Sequence, residues 1–529
     1  MLKGTSVAVC LIAAAGIVVG TTGRRVRAQT TERRSGVPTA RRGIPTVVGP
    51  RGPASVYPVM SGARALTFIG AAQRGLDYVP GEVIVKFKSG VSVTGQQRAL
   101  RALRSRPMVT DLEWISGDTA LHRDELEYDA HILSTQLLEQ PEVAYAEPNY
   151  IRHFQSTPND PGYAQHQWNF AAIDMPRAWD INPGGTSSLI VAVVDSGITT
   201  VSQTFSALTW NGQSTQQISV PFAISPEFSA SRFITPADFA TGSGAQSIVL
   251  DLDGHGTHVA STIGENTNNN IGEAGIAYNV KLMPVKVCFG YWDLQFALSA
   301  AGFTGFVPLN AGGCTAAAVA SGIRYAADNG AKVINLSLGG FASSSIEQDA
   351  LNYAVSKGAF VAMSAGNCYQ ANPACPPMVN PPAYPAALAT NIDGAMAVAA
   401  VGPSLNHSFY SSAGPYVEIS APGGNDLEGG VNGMIWQATI FPPDSDPSTV
   451  IFPRFDRYAE VPYEGTSMAA PHVSGAAALI ISQGVTSPAV VEALIKQTAR
   501  PLGTASGRSD LYGFGLIQPR AALFGFGIK

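Results

Sequence analysis

Ser188-Leu189-Ile190-Val191-Ala192-Val193-Val194-Asp195-Ser196-Gly197 is an apolar, largely β-branched run that stops on a carboxylate and a glycine. An unbroken apolar run of this length marks a strand buried on both faces, which in a soluble chain means a parallel sheet covered by helices. Asp195 then stands at the carboxyl end of a strand, the edge at which open α/β sheets gather their functional groups. Working outward, 281–287, 331–340, 358–364, 395–401 and 416–420 read as further strands. Residues 488–498 read as a helix, and so do 315–328, with apolar residues on nearly every face and therefore buried. Strands alternating with helices predict an α/β fold, a mostly parallel sheet with helices on both faces.

Two other stretches carry chemistry. Asp253-Gly254-His255-Gly256-Thr257-His258-Val259-Ala260-Ser261 sets His255 between glycines just before a helix. Gly465-Thr466-Ser467-Met468-Ala469-Ala470-Pro471-His472-Val473-Ser474-Gly475 puts Ser467 ahead of a run, 476–481, apolar enough for a buried helix. Unpaired N–H groups at a helix N-terminus point at nearby negative charge. A serine there can attack as a nucleophile whose oxyanion product meets backbone donors. Alone, Ser467 would read as an ordinary N-cap. With an imidazole and a carboxylate also at element ends beside glycine, Asp195, His255 and Ser467 form a candidate triad, in the chain order Asp, His, Ser. His258 lies three residues further along its helix and His472 inside the helix after Ser467, and both read as packing residues.

The three blocks, Asp195-Ser196-Gly197, His255-Gly256-Thr257-His258-Val259-Ala260 and the stretch from Gly465 to Val473, resemble the signature blocks of the subtilisin-like serine peptidases, with the likeness covering roughly residues 158–520. The resemblance implies a subtilisin-like sheet and peptide-bond hydrolysis through an acyl-enzyme. His255 would be the base, Asp195 its orienting partner and Ser467 the nucleophile. Asn367, in Ala365-Gly366-Asn367, would give its amide to the oxyanion, a role its chemistry fits. Ser337, Leu338, Gly339, Ala365 and Gly366 would hold substrate, the glycines letting an extended peptide pair as an added strand. The chemistry needs no cofactor. Residues 265–273 resemble the family's calcium loop, with Asp160, Thr267, Asn269, Ile271 and Glu273 as ligands, although the His-Pro-Asp-Leu stretch often found after the first strand is absent. A polar surface loop is the alternative.

Residues 1–28 hold one early lysine and a short apolar run, which reads as a secretory signal, with an N-terminal anchor as the alternative. Residues 29–78 read as an Arg/Pro/Gly-rich linker. Residues 79–157 read as a small α+β split-βαβ domain, with strands at 80–87 and 143–150 framing helices at 96–103 and 124–138. Its outer strands resemble the inhibitor-type propeptide of secreted subtilisins, which implies a segment that helps the protease fold and blocks its cleft until removed. The mature chain would start between 152 and 159, within a catalytic domain of 158–529.

Of the 529 residues 13% are charged, 45% are apolar and 55 are glycine, which suits a large buried body and excludes a disordered chain. Residues 1–157 hold 19 Lys and Arg against 13 Asp and Glu, net +6, and the rest 14 against 25, net −11. An acidic enzyme portion argues against nucleic acid, and the basic linker has no interleaved aromatics. Cys10 lies in the signal segment. Cys288, Cys314, Cys368 and Cys375 allow three pairings. Cys288–Cys314 and Cys368–Cys375 are favoured, with free buried thiols as the alternative. Two inserts, 199–248 and 427–460, have no assigned role. The aromatics of the second (Trp436, Phe441, Phe452, Phe455, Tyr458) read as core under a loop rather than cleft rim. The expectation is a secreted serine endopeptidase made as a self-processed zymogen, monomeric when mature, with protein substrates and its own propeptide as partners and neither nucleic acid nor membrane. An inactive subtilisin-fold binding protein and another serine acyl hydrolase or transferase are the alternatives.

Overall fold

The structure, a computed structural model, describes residues 62–524 except 75, 102, 104–109, 125–128, 152–156, 242–247, 371–374, 442–449, 451 and 504–506. The expected signal segment, most of the linker and the first part of the expected processing stretch lie outside the described residues.

Within the stretch read as linker there is a helix, Gly62–Gln73, tied to the next domain by an Arg64–Glu82 ion pair. That domain has strands β1 (Tyr78–Phe87), β2 (Thr110–Ser116), β3 (Thr119–Asp124) and β4 (Val143–Tyr150), with helices Val93–Leu100 and Ala130–Leu138. The sheet order is β2-β3-β1-β4, and β1 runs antiparallel to both β3 and β4. This is the split βαβ arrangement with a hairpin, β2–β3, that the pattern of apolar residues did not disclose. Val83, Val85, Phe87, Leu133 and Leu137 form its own core.

The larger region contributes β5 (Ile190–Asp195), β6 (Gln203–Trp210), β7 (Thr215–Phe222), β8 (Ala237–Asp238), β9 (Lys281–Lys286), β10 (Cys288–Phe289), β11 (Gly313–Cys314), β12 (Val333–Leu336), β13 (Phe360–Ser364), β14 (Ala395–Val401), β15 (Ile419–Pro422), β16 (Ile435–Ile440) and β17 (Tyr458–Tyr463). Seven of these form one sheet, ordered β15-β14-β13-β12-β5-β9-β8, and every pair in it is parallel. One face is covered by helices His255–Gly264, Thr466–Ser482 and Pro488–Thr498, through residues such as Val259, Val473, Leu479 and Ile495. The other face is covered by helices Ala316–Asp328 and Ser345–Ser356, through Val319, Ile323, Leu351 and Ala354. Helix Ala316–Asp328 is not buried all round as read from the sequence. Its first turn, Ser321 and Asp328 face solvent, because alanines tolerate either environment and hide the polar side.

Winding from β5 goes first to β8 at one edge, then to β9 between them, and then back across to β12 on the other side, with β13, β14 and β15 following outward. The reversal falls between β5 and β12, where the carboxyl ends of an open sheet leave a crevice. Both inserts contain hairpins. β6 pairs with β7, β16 with β17, and Phe222 stacks on Phe455 at 4.9 Å to join the two. Phe455 is fully buried, whereas Phe441 and Phe452 are exposed, so the second insert's aromatics divide between core and surface.

Candidate active site

Asp195 ends β5, buried to 2% exposure, and its Oδ1 accepts the His255 Nδ1–H at 2.7 Å and the Ser196 amide at 2.7 Å. His255 opens its helix, and a residue the sequence reading missed holds that opening in place. Asp251, fully buried, accepts from Ser196 Oγ (3.0 Å) and from the amides of Asp253 (3.0 Å), Gly254 (2.9 Å) and Thr257 (3.0 Å), and also from Thr257 Oγ1 (2.6 Å). One carboxylate thus caps the helix carrying the imidazole and ties it to the strand carrying Asp195. Gly256 is required beside it, since a Cβ there would sit 2.3 Å from the Gly197 carbonyl oxygen. The signal for Asp251 was an aspartate two residues before Asp253, a pattern too common to single out.

Burial pushes His255 down. The charge and hydrogen bond of Asp195, with Asp253 and Asp251 behind it, outweigh that and raise it to about 9. With Nδ1 donating to Asp195, Nε2 is the nitrogen left to take a proton.

Ser467 lies in the first turn of helix Thr466–Ser482, where the helix offers its amide no acceptor. Pro471 lacks the N–H that would bond the Ser467 carbonyl, and Ser337 Oγ supplies that hydrogen bond instead, at 2.7 Å. Asn335 Nδ2 donates to Ser337 Oγ (2.9 Å) and Ser474 Oγ to Asn335 Oδ1 (2.8 Å), so the end of β12 is stitched to the helix. The Ser467 hydroxyl itself donates to the Ser337 carbonyl at 3.3 Å. The structure therefore brings Asp195 and His255 into contact, while the Ser467 hydroxyl is turned to the Ser337 carbonyl, just past β12, and not to the imidazole. Such bonds are often loose before substrate arrives.

Asn367 follows β13. Its Oδ1 accepts from Thr466 N (2.9 Å) and Thr466 Oγ1 (2.8 Å), which fixes the amide so that Nδ2 faces the other way. Nδ2 lies 3.3 Å from where a Cβ on Gly465 would stand, beside the turn into Ser467.

A cleft of about 470 Å³ starts at Asp195 and His255 and runs between two walls. One wall is the β10–β11 ribbon, where Cys288 faces and is bonded to Cys314. The other includes Ser337, Leu338 and Gly339. Ala365 and Gly366, like Ser467 and Asn367, are not among the residues that line it. The amide and carbonyl of Ala365 are engaged by Val398 and Tyr416, and those of Gly366 by Thr466 and Ser412. The second disulfide joins Cys368 and Cys375, so the favoured pairing is the one present.

His258 is fully buried, shares its Nε2–H between the carbonyls of Ile435 (3.2 Å) and Val461 (3.0 Å), and stacks on Tyr463. Burial pushes it down to about 3. His472 donates from Nδ1 to Met468 O (2.8 Å), accepts from Asn169 (2.8 Å), and is pushed down by burial to about 4. Neutral and committed, both pack the core.

Of the five expected calcium ligands, Asp160 accepts the amides of Asn268 (2.8 Å) and Asn269 (2.9 Å), Asn269 Oδ1 accepts the Ile271 amide (3.1 Å), and Thr267 Oγ1 accepts the Gly275 amide (3.0 Å). Glu273 is fully buried, with one oxygen on His166 and the other without a partner. Three further glutamates surround it that the sequence did not single out. Glu265 is fully buried with neither oxygen hydrogen-bonded, Glu227 binds Asn269 Nδ2 (2.9 Å), and Glu460 leaves one buried oxygen unpartnered. A Cβ on Gly272 would meet Glu227 Oε1 at 2.6 Å and Glu460 Oε1 at 2.8 Å, so these carboxylates are close neighbours. As they stand, no three Asp, Glu, His or Cys among the described residues hold ion-binding geometry. Buried carboxylate oxygens without hydrogens nonetheless suit a hard cation.

A model of the subtilase family matches residues 186–515, and a model described as the fervidolysin N-terminal prodomain matches residues 68–149. Thermitase from Thermoactinomyces vulgaris is 33% identical over 361 residues, which are 67% of this chain and 98% of thermitase. An extracellular protease from Xanthomonas campestris is 32% identical over 454 residues, 80% of this chain, and the chain spans 66% of that relative's length. Among solved structures, a protease from Pseudoalteromonas arctica is similar at 27% identity and a TM-score of 0.50, over 70% of this chain and 99% of the other.

Proposed function

The chain belongs to the subtilase family, and from that premise we propose that it is a secreted serine endopeptidase made as a zymogen, with residues 79–157 as its propeptide and Asp195, His255 and Ser467 as its triad. The observation that carries this reading is the Asp195–His255 hydrogen bond at the same sheet crevice as the helix N-terminus bearing Ser467. An extended peptide lies along Ser337–Gly339 with its acyl portion in the cleft. The Ser467 side chain turns from the Ser337 carbonyl to His255 Nε2, gives up its proton there and attacks the scissile carbonyl. The imidazolium, held by Asp195, passes that proton to the leaving amine, and water then releases the acyl-enzyme. The oxyanion is met by the Ser467 amide and by Asn367 Nδ2, oriented by Thr466. The extracellular relative supports secretion, and among the described residues no helix is long and apolar enough to cross a membrane.

Asn367→Ala should lower kcat on a fluorogenic peptide by about 10²–10³-fold with KM little changed, a magnitude taken over from subtilisin by similarity. Steady-state kinetics of wild type and variant check it. A wild type without hydrolysis, or a variant that loses KM and keeps kcat, would count against the reading.

Calcium, where bound, would sit among Glu227, Glu265, Glu273 and Glu460 beside Asp160 and supply structural charge, not chemistry. Burial raises all four glutamates and neighbouring negative charge adds to the rise, although a hydrogen bond with Glu460 holds Glu273 back. A carboxyl raised in the folded state favours folding at low pH, and that contribution drains away as pH climbs from about 4.5 through the raised values. Calcium should therefore stabilise the Ser467→Ala protein more at pH 8 than at pH 5, raising Tm by roughly 5 °C at about a hundred times its Kd. Glu460→Gln should shrink that shift. Thermal melts with and without chelator decide it, and an unchanged Tm at pH 8 refutes it.

A further inference from the structure

The cleft beside His255 is lined by three carboxylates, Asp195, Asp253 and Glu347, and by no lysine or arginine. Asp195 is taken by His255. Asp253 is exposed at the mouth and accepts the His255 amide at 3.2 Å. Glu347 is different. It is 7% exposed and makes no hydrogen bond or ion pair among the described residues. An ionised carboxylate so placed is costly unless a partner arrives.

A structural role for Glu347 can be tested against its surroundings. Ser344-Ser345-Ile346-Glu347 is a capping box by pattern, with Ser344 as N-cap and Glu347 at the third helical position. Ser344 makes no side-chain capping bond and Glu347 does not return one. The helix N-terminus favours negative charge there and makes the residue tolerable, without using its oxygens. Burial raises its pKa, as it does for a carboxyl lacking a counter-charge. What remains open to those oxygens is the cleft.

We propose that Glu347 is a specificity residue that receives a lysine or arginine side chain from the acyl side of the substrate, so that the peptidase selects sites preceded by a basic residue. This rests on the peptidase reading above. A substrate strand on Ser337–Gly339 sends alternate side chains to one face, about 7 Å apart, so the second and fourth residues before the cut share a side. The ammonium or guanidinium gives Glu347 its missing partner, and Asp253 adds attraction at the mouth. The net charge of −11 over residues 158–529 draws basic segments from further off. The stretch expected to be self-cleaved itself begins with Arg152 and His153.

The test is a set of fluorogenic peptides carrying Lys, Arg, Leu, Gln or Glu at positions two, three and four before the cut, read as kcat/KM ratios within each enzyme. Wild type should prefer Lys and Arg over Leu by about ten-fold or more at one of those positions, the size expected of a hydrogen-bonded charge pair. Glu347→Gln and Glu347→Leu should lose that ratio, and Glu347→Asp should keep part of it. A wild type that cuts the set without basic preference overturns the proposal, as does a preference that survives Glu347→Gln. If wild type cuts no peptide and does not process itself, the peptidase reading has failed and takes this inference with it.

Discussion

Ser467→Ala should yield a full-length, folded zymogen that neither processes itself nor hydrolyses peptides, with kcat falling by about 10⁶-fold, the size known for subtilisin's own serine and carried over by similarity. The size follows from the unit the residues form. With no hydroxyl there is no covalent intermediate, and the Asp195–His255 pair has nothing to deprotonate. What survives is the positioning and oxyanion stabilisation that Asn367 and the cleft give to a water attack, some 10³-fold over solution. Stability should change little. The Ser467 hydroxyl makes one 3.3 Å hydrogen bond, to Ser337, and its loss leaves Ser337 Oγ still bonded to the Ser467 carbonyl. Gel electrophoresis and mass spectrometry of both proteins check the outcome. Wild type should be cut within 152–159, and the variant should remain intact. Equal maturation of both would sink the triad and the self-processing together.

What could be read from the chain was whatever local chemistry imposes. The run 188–194 could only be a strand covered on both faces, and it is β5, an interior strand of the sheet between β12 and β9. Glycines beside Asp195, His255 and Ser467 flagged close backbone approach, and the 2.3 Å clearance at Gly256 shows why. What stayed hidden depends on partners distant in sequence. Asp251 matters because it accepts a hydrogen bond from Ser196, just past the end of β5 and 55 residues earlier, and Glu460 because the chain returns beside Glu273 nearly two hundred residues later. The hairpin β6–β7 was missed although β7 carries the signal: Ile218, Val220 and Phe222 alternate with Ser219 and Pro221 and turn into a small core with Tyr291, Trp292 and Phe455, but the many Ser, Thr and Gln residues around them read as a loop. Ala365 and Gly366 were expected at the cleft from motif position. Their amides and carbonyls hold the end of β13 through Val398, Tyr416, Thr466 and Ser412, partners that the local sequence does not reveal.

Asp195→Asn should cost about 10⁴-fold in kcat, the scale seen when the orienting acid of a serine protease becomes an amide, and should also move the pH profile. An asparagine is nearly isosteric, so the fold should hold. Its amide, if turned toward His255, presents N–H to Nδ1 and forces the proton onto Nε2, the nitrogen that must accept from Ser467. If turned the other way, it keeps the tautomer and offers no charge to the imidazolium. Either way the base is impaired. Against burial, Asp195 supplies the largest upward push on His255. In wild type the acid limb of kcat/KM should therefore lie above the 6.5 of free imidazole, toward 9, and activity should be alkaline. In the variant that push is gone and burial remains, so the acid limb of the residual activity should move down. Stability carries the same sign. A histidine raised in the folded state stabilises fully below about 6.5, and its contribution is lost as pH climbs toward 9. That pH dependence of Tm should flatten when Asp195→Asn is placed in the Ser467→Ala background. Kinetics across pH 5–11 and melts over the same range give two independent readouts. An acid limb that stays in place or rises would mean that the 2.7 Å contact does not set the state of the base.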